Sequence, residues 1–166
     1  KLKKQNPDGH ILYSFHGLPK KYLIKENSQC FSEGCCSTGL APKGCYRAHC
    51  LETARLISEK LKIPSSEYSI SFQSRMGRME WLSPYSSNEV EKLCKEGVKN
   101  LIVVAPSFVS DCLETIDELD RELRETFESH GGQSFCLSAC LNDDQAWVNG
   151  LAEMVQNESA NGWNQV

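Results

Sequence analysis

The stretch Asn100-Leu101-Ile102-Val103-Val104-Ala105-Pro106 decides the fold. Its unbroken apolar run, ended by a proline, is typical of a strand buried within a parallel sheet. Similar but weaker signals predict three more strands, at residues 10–15, 67–72 and 134–139. Apolar residues at helical spacing predict helices at about residues 46–62, 88–96, 110–129 and 144–155. The chain therefore alternates strand and helix.

Alternation with helix-length crossovers predicts an α/β fold in three layers, a four-stranded parallel sheet with helices on both faces. Because such crossovers are right-handed, the expected strand order is 2-1-3-4. Open parallel sheets bind ligands beyond the carboxyl ends of their strands. Four segments are expected to meet at that edge, namely residues 16–17, 73–75, 107–114 and 141–143.

Composition and charge narrow the class of protein. The chain has 166 residues and carries 18 Lys and Arg against 22 Asp and Glu, a net charge of −4. This mild acidity argues against a nucleic-acid partner, and no apolar run approaches the roughly 20 residues of a membrane-spanning helix. The balance of 40% hydrophobic and 24% charged residues is typical of one globular domain. The first residue is not Met and no signal peptide opens the chain, so we expect a fragment or a processed form.

His16 closes the first predicted strand, and Gly17 and Pro19 after it predict a shaped turn. A neutral imidazole at a strand end has a free nitrogen lone pair, so it can act as a base or as a metal ligand. The alternative is a hydrogen-bonded structural histidine, and position alone does not decide between them. Trp81 and Phe108 can pack a flat ligand, although either also fits an ordinary core position.

An acidic series follows the third strand. Its members are spaced 3, 4, 4 and 3 residues apart and fall within about 80° of arc on an α-helix; they are Asp111, Glu114, Glu118, Glu122 and Glu125. An acidic face of this kind is usually solvated surface. Arg121 and Arg124 lie off the series, however, and we expect them not to neutralise it. A file of carboxylates that begins at the ligand edge favours a divalent cation, and repulsion along it raises some of the pKa values.

The chain contains nine cysteines, an odd number that cannot all pair within it. Five of them form the pattern C-x4-C-C-x8-C-x4-C, at Cys30, Cys35, Cys36, Cys45 and Cys50. Thiolates select zinc, Cu(I) or iron–sulfur clusters. The pattern matches neither the C-x2-C pairs of zinc ribbons nor the spacing of plant-type ferredoxins. The alternative is a set of reduced, incidental thiols.

Four short motifs, in order, resemble the ferrochelatase family. They are Ser14-Phe15-His16-Gly17-Leu18-Pro19, Gln73-Ser74-Arg75-Met76-Gly77 followed by Trp81-Leu82, Phe108-Val109-Ser110-Asp111-Cys112-Leu113-Glu114-Thr115, and Leu141-Asn142-Asp143. Their order and spacing match that family over about residues 10–155. One such motif would be a weak signal, but four in order are highly specific.

The resemblance implies an enzyme that inserts Fe²⁺, its substrate, into a porphyrin in haem synthesis. It implies that His16 accepts pyrrole protons and that Glu114 is its carboxylate partner, both facing the substrate iron. Glu118 and Glu122 match acidic positions that move metal or protons. Tyr46, Trp81 and Phe108 match aromatic positions of the porphyrin pocket. The implied fold is a chelatase-like, Rossmann-like domain.

The chain departs from the family in two ways. Its length implies only the C-terminal lobe, at residues 5–158, with a tail at 159–166 that we expect to be disordered and with the N-terminal lobe as its missing partner. A Cys-rich insertion at residues 27–45 resembles the subset of members with an internal [2Fe–2S] cluster. The ligands that this subset implies are Cys30, Cys35, Cys36 and Cys45, while Cys50 matches a cysteine of cluster-free members.

Two other functions stay open. The chain can be a non-catalytic iron–sulfur or zinc-binding module on a chelatase-like scaffold, or a cobalt chelatase that acts on a tetrapyrrole precursor. The sequence does not decide between protoporphyrin and coproporphyrin as the substrate. The predicted location is the cytoplasm, with peripheral contact with a membrane left open.

Overall fold

The computed structural model describes residues 2–26, 30–31, 35–36 and 44–161, with side chains up to residue 157. Most of the predicted insertion at 27–45 lies outside the described residues, although its four cysteines are within them. Residues 162–166 of the predicted tail also lie outside them. No helix in the described part of the chain is long and apolar enough to cross a bilayer.

Four strands and six α-helices form the described fold. The strands are β1 (His10–His16), β2 (Tyr68–Gln73), β3 (Asn100–Val104) and β4 (Ser134–Leu137). The helices are α1 (Leu2–Gln5), α2 (Lys20–Glu26), α3 (Tyr46–Leu61), α4 (Ser86–Lys95), α5 (Arg124–Ser129) and α6 (Gln145–Asn161). A 3₁₀ turn covers Ser65–Glu67, and a π-helix covers Glu114–Leu123.

The strands form one parallel sheet in the order β2-β1-β3-β4, which confirms the predicted topology. The register pairs His16 with Gln73, so the ends of β1 and β2 lie side by side. All four strands point the same way. The loops that follow them therefore meet at one edge, as the pattern of alternation requires.

Helices cover both faces of the sheet because successive strand residues point to opposite sides. Leu12 belongs to the core shared with α4, the π-helix and α5. Its neighbour Tyr13 belongs to the core shared with α3, where Ser58 Oγ donates a hydrogen bond to Tyr13 Oη over 3.0 Å. The central strands are therefore buried on both sides, as their apolar runs predict.

The helix expected at 110–129 differs from its prediction. The observed helix has π-helical geometry over Glu114–Leu123 and α-helical geometry in α5. Residues 110–112 stay outside the helix because they bind the loop after β4: Asp111 N–H donates to Asn142 Oδ1 over 3.0 Å. At the other end of the chain, α6 runs to Asn161 rather than to 155. Asp144 caps it by accepting from the backbone N–H of Ala146 over 2.9 Å.

Candidate functional site

His16 ends β1 at the carboxyl edge of the sheet and is half-buried. Its Nδ1 lies 2.6 Å from the carbonyl oxygen of Gly17. Because a carbonyl oxygen can only accept, Nδ1 carries the proton of the neutral ring, and the lone pair of Nε2 is free. The side chain is therefore oriented by one nitrogen and left able to accept a proton or bind a metal through the other.

The turn after His16 is built on a close approach to β2. The N–H of Gly17 donates to the carbonyl oxygen of Gln73 over 2.8 Å. A Cβ on residue 17 would lie 2.7 Å from that oxygen, closer than real Cβ atoms come. Gly17 is therefore required if His16 is to sit against the end of β2.

Glu114 is the first residue of the π-helix, which is the element that follows β3 in the chain. Hydrogen bonds from its own backbone N–H and from the Cys112 thiol lower its pKa, and the charge of His16 lowers it further. For this carboxyl group the direction is opposite to the rise that the sequence predicts from repulsion along the acidic series. Glu114 is thus an ionised carboxylate at the same sheet edge as His16.

The three aromatic residues of the predicted pocket surround His16 in different ways. The Phe108 ring centroid lies 6.3 Å from that of His16. Tyr46 Oη donates to the His16 carbonyl over 2.7 Å, and burial raises the pKa of Tyr46 so that it keeps this proton. Trp81 is 8% exposed, packs under Gly17 and donates through Nε1 to the Met76 carbonyl over 2.9 Å.

The other glutamates of the acidic series differ in the groups that they bind. Arg121 lies 3.1 Å from Glu122 and 3.8 Å from Glu125. The expectation that Arg121 leaves the series unneutralised is therefore wrong, because its long side chain reaches carboxylates beside and one turn beyond it. Arg124 instead pairs with Asp120, outside the series. Glu118 binds neither arginine: its carboxylate accepts from the N–H and the hydroxyl of Ser74.

The sequence predicts that residues 73–75 lie at the site, but it predicts no role for Ser74. The residue follows a buried strand and adopts φ 67°, and its partner lies 44 residues away in the chain. No periodicity connects two such residues. The only signal was local, a small polar side chain directly at a strand end.

The four cysteines predicted to bind a cluster are partly brought together. Cys35 and Cys36 have their sulfur atoms 3.8 Å apart, and Arg47 Nη1 donates to Cys36 over 3.0 Å. Burial and the neighbouring thiols of Cys35 and Cys45 raise the pKa of Cys30. Among the described residues, no group of three or more His, Cys, Asp or Glu side chains is arranged to hold a metal ion.

Cys50, unlike the four predicted ligands, lies within a helix. It is buried inside the first turns of α3, at 3% exposure. Burial raises its pKa to about 11, so it is a neutral thiol at physiological pH.

The sheet topology and the histidine, carboxylate and aromatic residues at its edge define a chelatase-like α/β domain. The same fold occurs in the crystal structure of a CbiX protein from Marinobacter aquaeolei, with a TM-score of 0.53 and 14% identity. That superposition covers 93% of this chain and 99% of the other. At such low identity the likeness concerns the fold alone.

The chain belongs to the ferrochelatase family, whose model matches residues 1–159. It is 45% identical over 148 residues to a ferrochelatase of Bdellovibrio bacteriovorus, covering 89% of this chain and 44% of that protein. It is 42% identical over 153 residues to a ferrochelatase of Pseudomonas fluorescens, covering 89% and 45%. The chain thus spans slightly less than half the length of these curated relatives.

Proposed function

We propose that this chain is one lobe of a ferrochelatase, which inserts Fe²⁺ into a porphyrin during haem synthesis. The observation that carries the proposal is the placement of a histidine with a free Nε2 and of an ionised carboxylate, Glu114, at one sheet edge. Family membership supports the same reaction. The N-terminal lobe supplies the other side of the cleft, and a porphyrin is the organic substrate.

The proposed chemistry is a metal-for-proton exchange. A porphyrin must lose two pyrrole N–H protons as the dication enters its centre. His16 Nε2 is the nitrogen that can accept a proton, because Nδ1 is engaged with the Gly17 carbonyl and orients the ring. Glu114 offers a negative charge on the same edge, which stabilises the imidazolium that forms and attracts the incoming cation. Phe108 beside His16 provides an apolar ring against which the macrocycle packs.

Aromatic and acidic residues around this pair take supporting roles in the proposal. Tyr46 and Trp81 fix the backbone of the His16–Gly17 turn and so hold the imidazole in place. Glu118 and Glu122 follow Glu114 along the π-helix and line a cleft of about 240 Å³. Carboxylate oxygens suit divalent cations, so these two residues form the route for the metal or for the released protons.

The direct test is metalation by the full-length protein. Anaerobic Fe²⁺ is supplied with protoporphyrin or with coproporphyrin, and the loss of free-porphyrin fluorescence is followed. We expect metalation of at least one porphyrin, and the comparison identifies which of the two is the substrate. A protein that binds iron but metalates neither porphyrin would instead be a non-catalytic metal-binding module.

We further propose that Cys30, Cys35, Cys36 and Cys45 hold one [2Fe–2S] cluster. The donor set fits the group, because four thiolates suffice for such a cluster. The Cys35 and Cys36 sulfur atoms lie 3.8 Å apart, and a backbone hydrogen bond at Phe31, together with the charge of Arg47, lowers the pKa of Cys35, which favours its thiolate form. A bound cluster would supply redox-active iron and would stabilise the surrounding loop, since metal binding and local folding are linked.

Single Cys→Ser variants of the full-length protein test the ligand set. We expect Cys30, Cys35, Cys36 and Cys45 variants each to lose the visible absorption of the cluster and most of its bound iron. Cys50→Ser is the matched control and keeps both, because Cys50 is buried inside α3 and is not one of the proposed ligands. Loss in Cys50→Ser with retention in Cys30→Ser or Cys45→Ser would reverse the assignment. A colourless, zinc-loaded protein from iron-replete cells would reject the cluster.

A cytoplasmic location, with peripheral contact with a membrane, belongs to the same proposal. Fractionation of cells that produce the full-length protein, with and without a salt wash of the membranes, tests it. Protein that resists both salt and alkaline extraction would contradict it.

A further inference from the structure

Ser74 adopts an unusual backbone conformation directly after β2. Its φ is 67°, in the left-handed region that side chains other than glycine rarely enter. Residues held in such conformations cost free energy and cluster where a structure uses the geometry.

The left-handed conformation aims both donors of Ser74 at one carboxylate. The backbone N–H donates to Glu118 Oε1 over 2.6 Å, and the hydroxyl donates to Glu118 Oε2 over 2.8 Å. Both oxygens of Glu118 are thus engaged, which fixes the rotation of the carboxylate as well as its position. A single hydrogen bond would leave that rotation free.

Ser74 is itself anchored to the turn that carries His16. The preceding residue, Gln73, is 3% exposed and accepts the N–H of Gly17 through its carbonyl oxygen. His16 and Gln73 are also paired in the sheet register. Through Ser74, the carboxylate of Glu118 on the π-helix therefore has a fixed position relative to the edge that carries His16.

The charge of Glu118 distinguishes it from its neighbours. Glu122 and Glu125 both pair with Arg121, but in the described part of the chain no Lys or Arg pairs with Glu118. The two donors of Ser74 are neutral. They orient the carboxylate without neutralising it, and Arg75, which lines the same cleft, has its guanidinium over the Tyr85 ring, 4.6 Å from the centroid, and forms no ion pair with Glu118 among the described residues, so the charge of Glu118 remains available to a cation in the cleft.

We propose that Ser74 is a positioning residue that presents the Glu118 carboxylate to Fe²⁺ on its way to the porphyrin. The inference rests on the proposed function and adds a specific residue to it. Ser74 acts through Glu118 and does not itself touch the metal. Its loss should therefore change the handling of iron and not the binding of the porphyrin.

The test uses Ser74→Gly and Ser74→Ala in the full-length protein. Glycine keeps the N–H and adopts φ 67° without strain, whereas alanine keeps the strain, and both lack the hydroxyl. We expect both variants to lower kcat/KM for Fe²⁺ by about tenfold to 100-fold, the effect of one hydrogen bond to a charged group. The KM for porphyrin should not change, and Ser74→Gly should unfold at no lower a temperature than the wild type. Ser66→Gly, an exposed serine beyond the other end of β2, is the control.

A double-mutant cycle with Glu118→Gln separates positioning from a merely structural role. If Ser74 acts through Glu118, Ser74→Gly has little further effect once Glu118 is replaced, so the two effects are not additive. If the wild type is active, additive effects of the two substitutions would overturn the inference. Wild-type kinetics for Fe²⁺ in Ser74→Gly would overturn it as well. Absence of metalation by the wild type would instead reject the proposed function.

Discussion

Replacement of His16 by alanine in the full-length protein is expected to slow iron insertion by about 100-fold to 10,000-fold, the range for loss of a positioned proton acceptor. The reason is local: Nδ1 is committed to the Gly17 carbonyl, so Nε2 is the nitrogen that can take a pyrrole proton. The measurement is the initial rate of metalation at saturating Fe²⁺ and porphyrin. Added imidazole should restore part of the rate, because it replaces the missing base in the vacated space.

His130→Ala is the matched control for this experiment. His130 is exposed directly after α5, and its Nδ1 lies 2.8 Å from the Thr126 carbonyl oxygen and 3.3 Å from the Ser129 hydroxyl, away from the sheet edge that carries His16. We expect it to retain the wild-type rate. A His16→Ala variant within a few fold of the wild type would show that another group accepts the protons.

Replacement of Glu114 by glutamine is expected to slow insertion by about 100-fold or more, because it removes the charge and keeps the shape of the side chain. Glu128→Gln, at an exposed position on α5, is the control and should have no effect. Glu122→Gln should reduce the rate of insertion less than Glu114→Gln does, because Glu122 lies farther along the π-helix and is already paired with Arg121.

The pH dependence gives an independent check on Glu114. The pKa of Glu114 is lowered from the ordinary value for a glutamic acid, which is about 4.3. Its carboxylate therefore stays ionised as the pH falls from neutral to pH 5. A decline of the rate between pH 7 and pH 5 must therefore come from a different group. Glu114→Gln should therefore retain any such acid-side decline, at a lower overall rate. An acid-side decline that disappears in Glu114→Gln would contradict this prediction.

The wrong expectations share a physical origin. Arg121 lies off the acidic face of an ideal α-helix, but a long flexible side chain reaches carboxylates four residues away and beside it. The π-helix at Glu114–Leu123 has i→i+5 hydrogen bonds, and apolar spacing does not distinguish it from an α-helix. Sequence periodicity reports which face is buried, not how the backbone closes each turn.

The sequence by itself determined the parallel sheet, its strand order and the edge at which His16 and Glu114 meet, because strand polarity and crossover handedness follow from the order of the elements. It also determined the family, through four motifs whose order and spacing are specific. Only the tertiary structure decided how the side chains engage each other there: Tyr46 with the His16 carbonyl across 30 residues, and Ser74 with Glu118 across 44. Such contacts depend on the strand register and on the left-handed conformation of one residue. A hydrogen bond is gained or lost over less than 1 Å, and local sequence patterns do not specify atomic positions that closely.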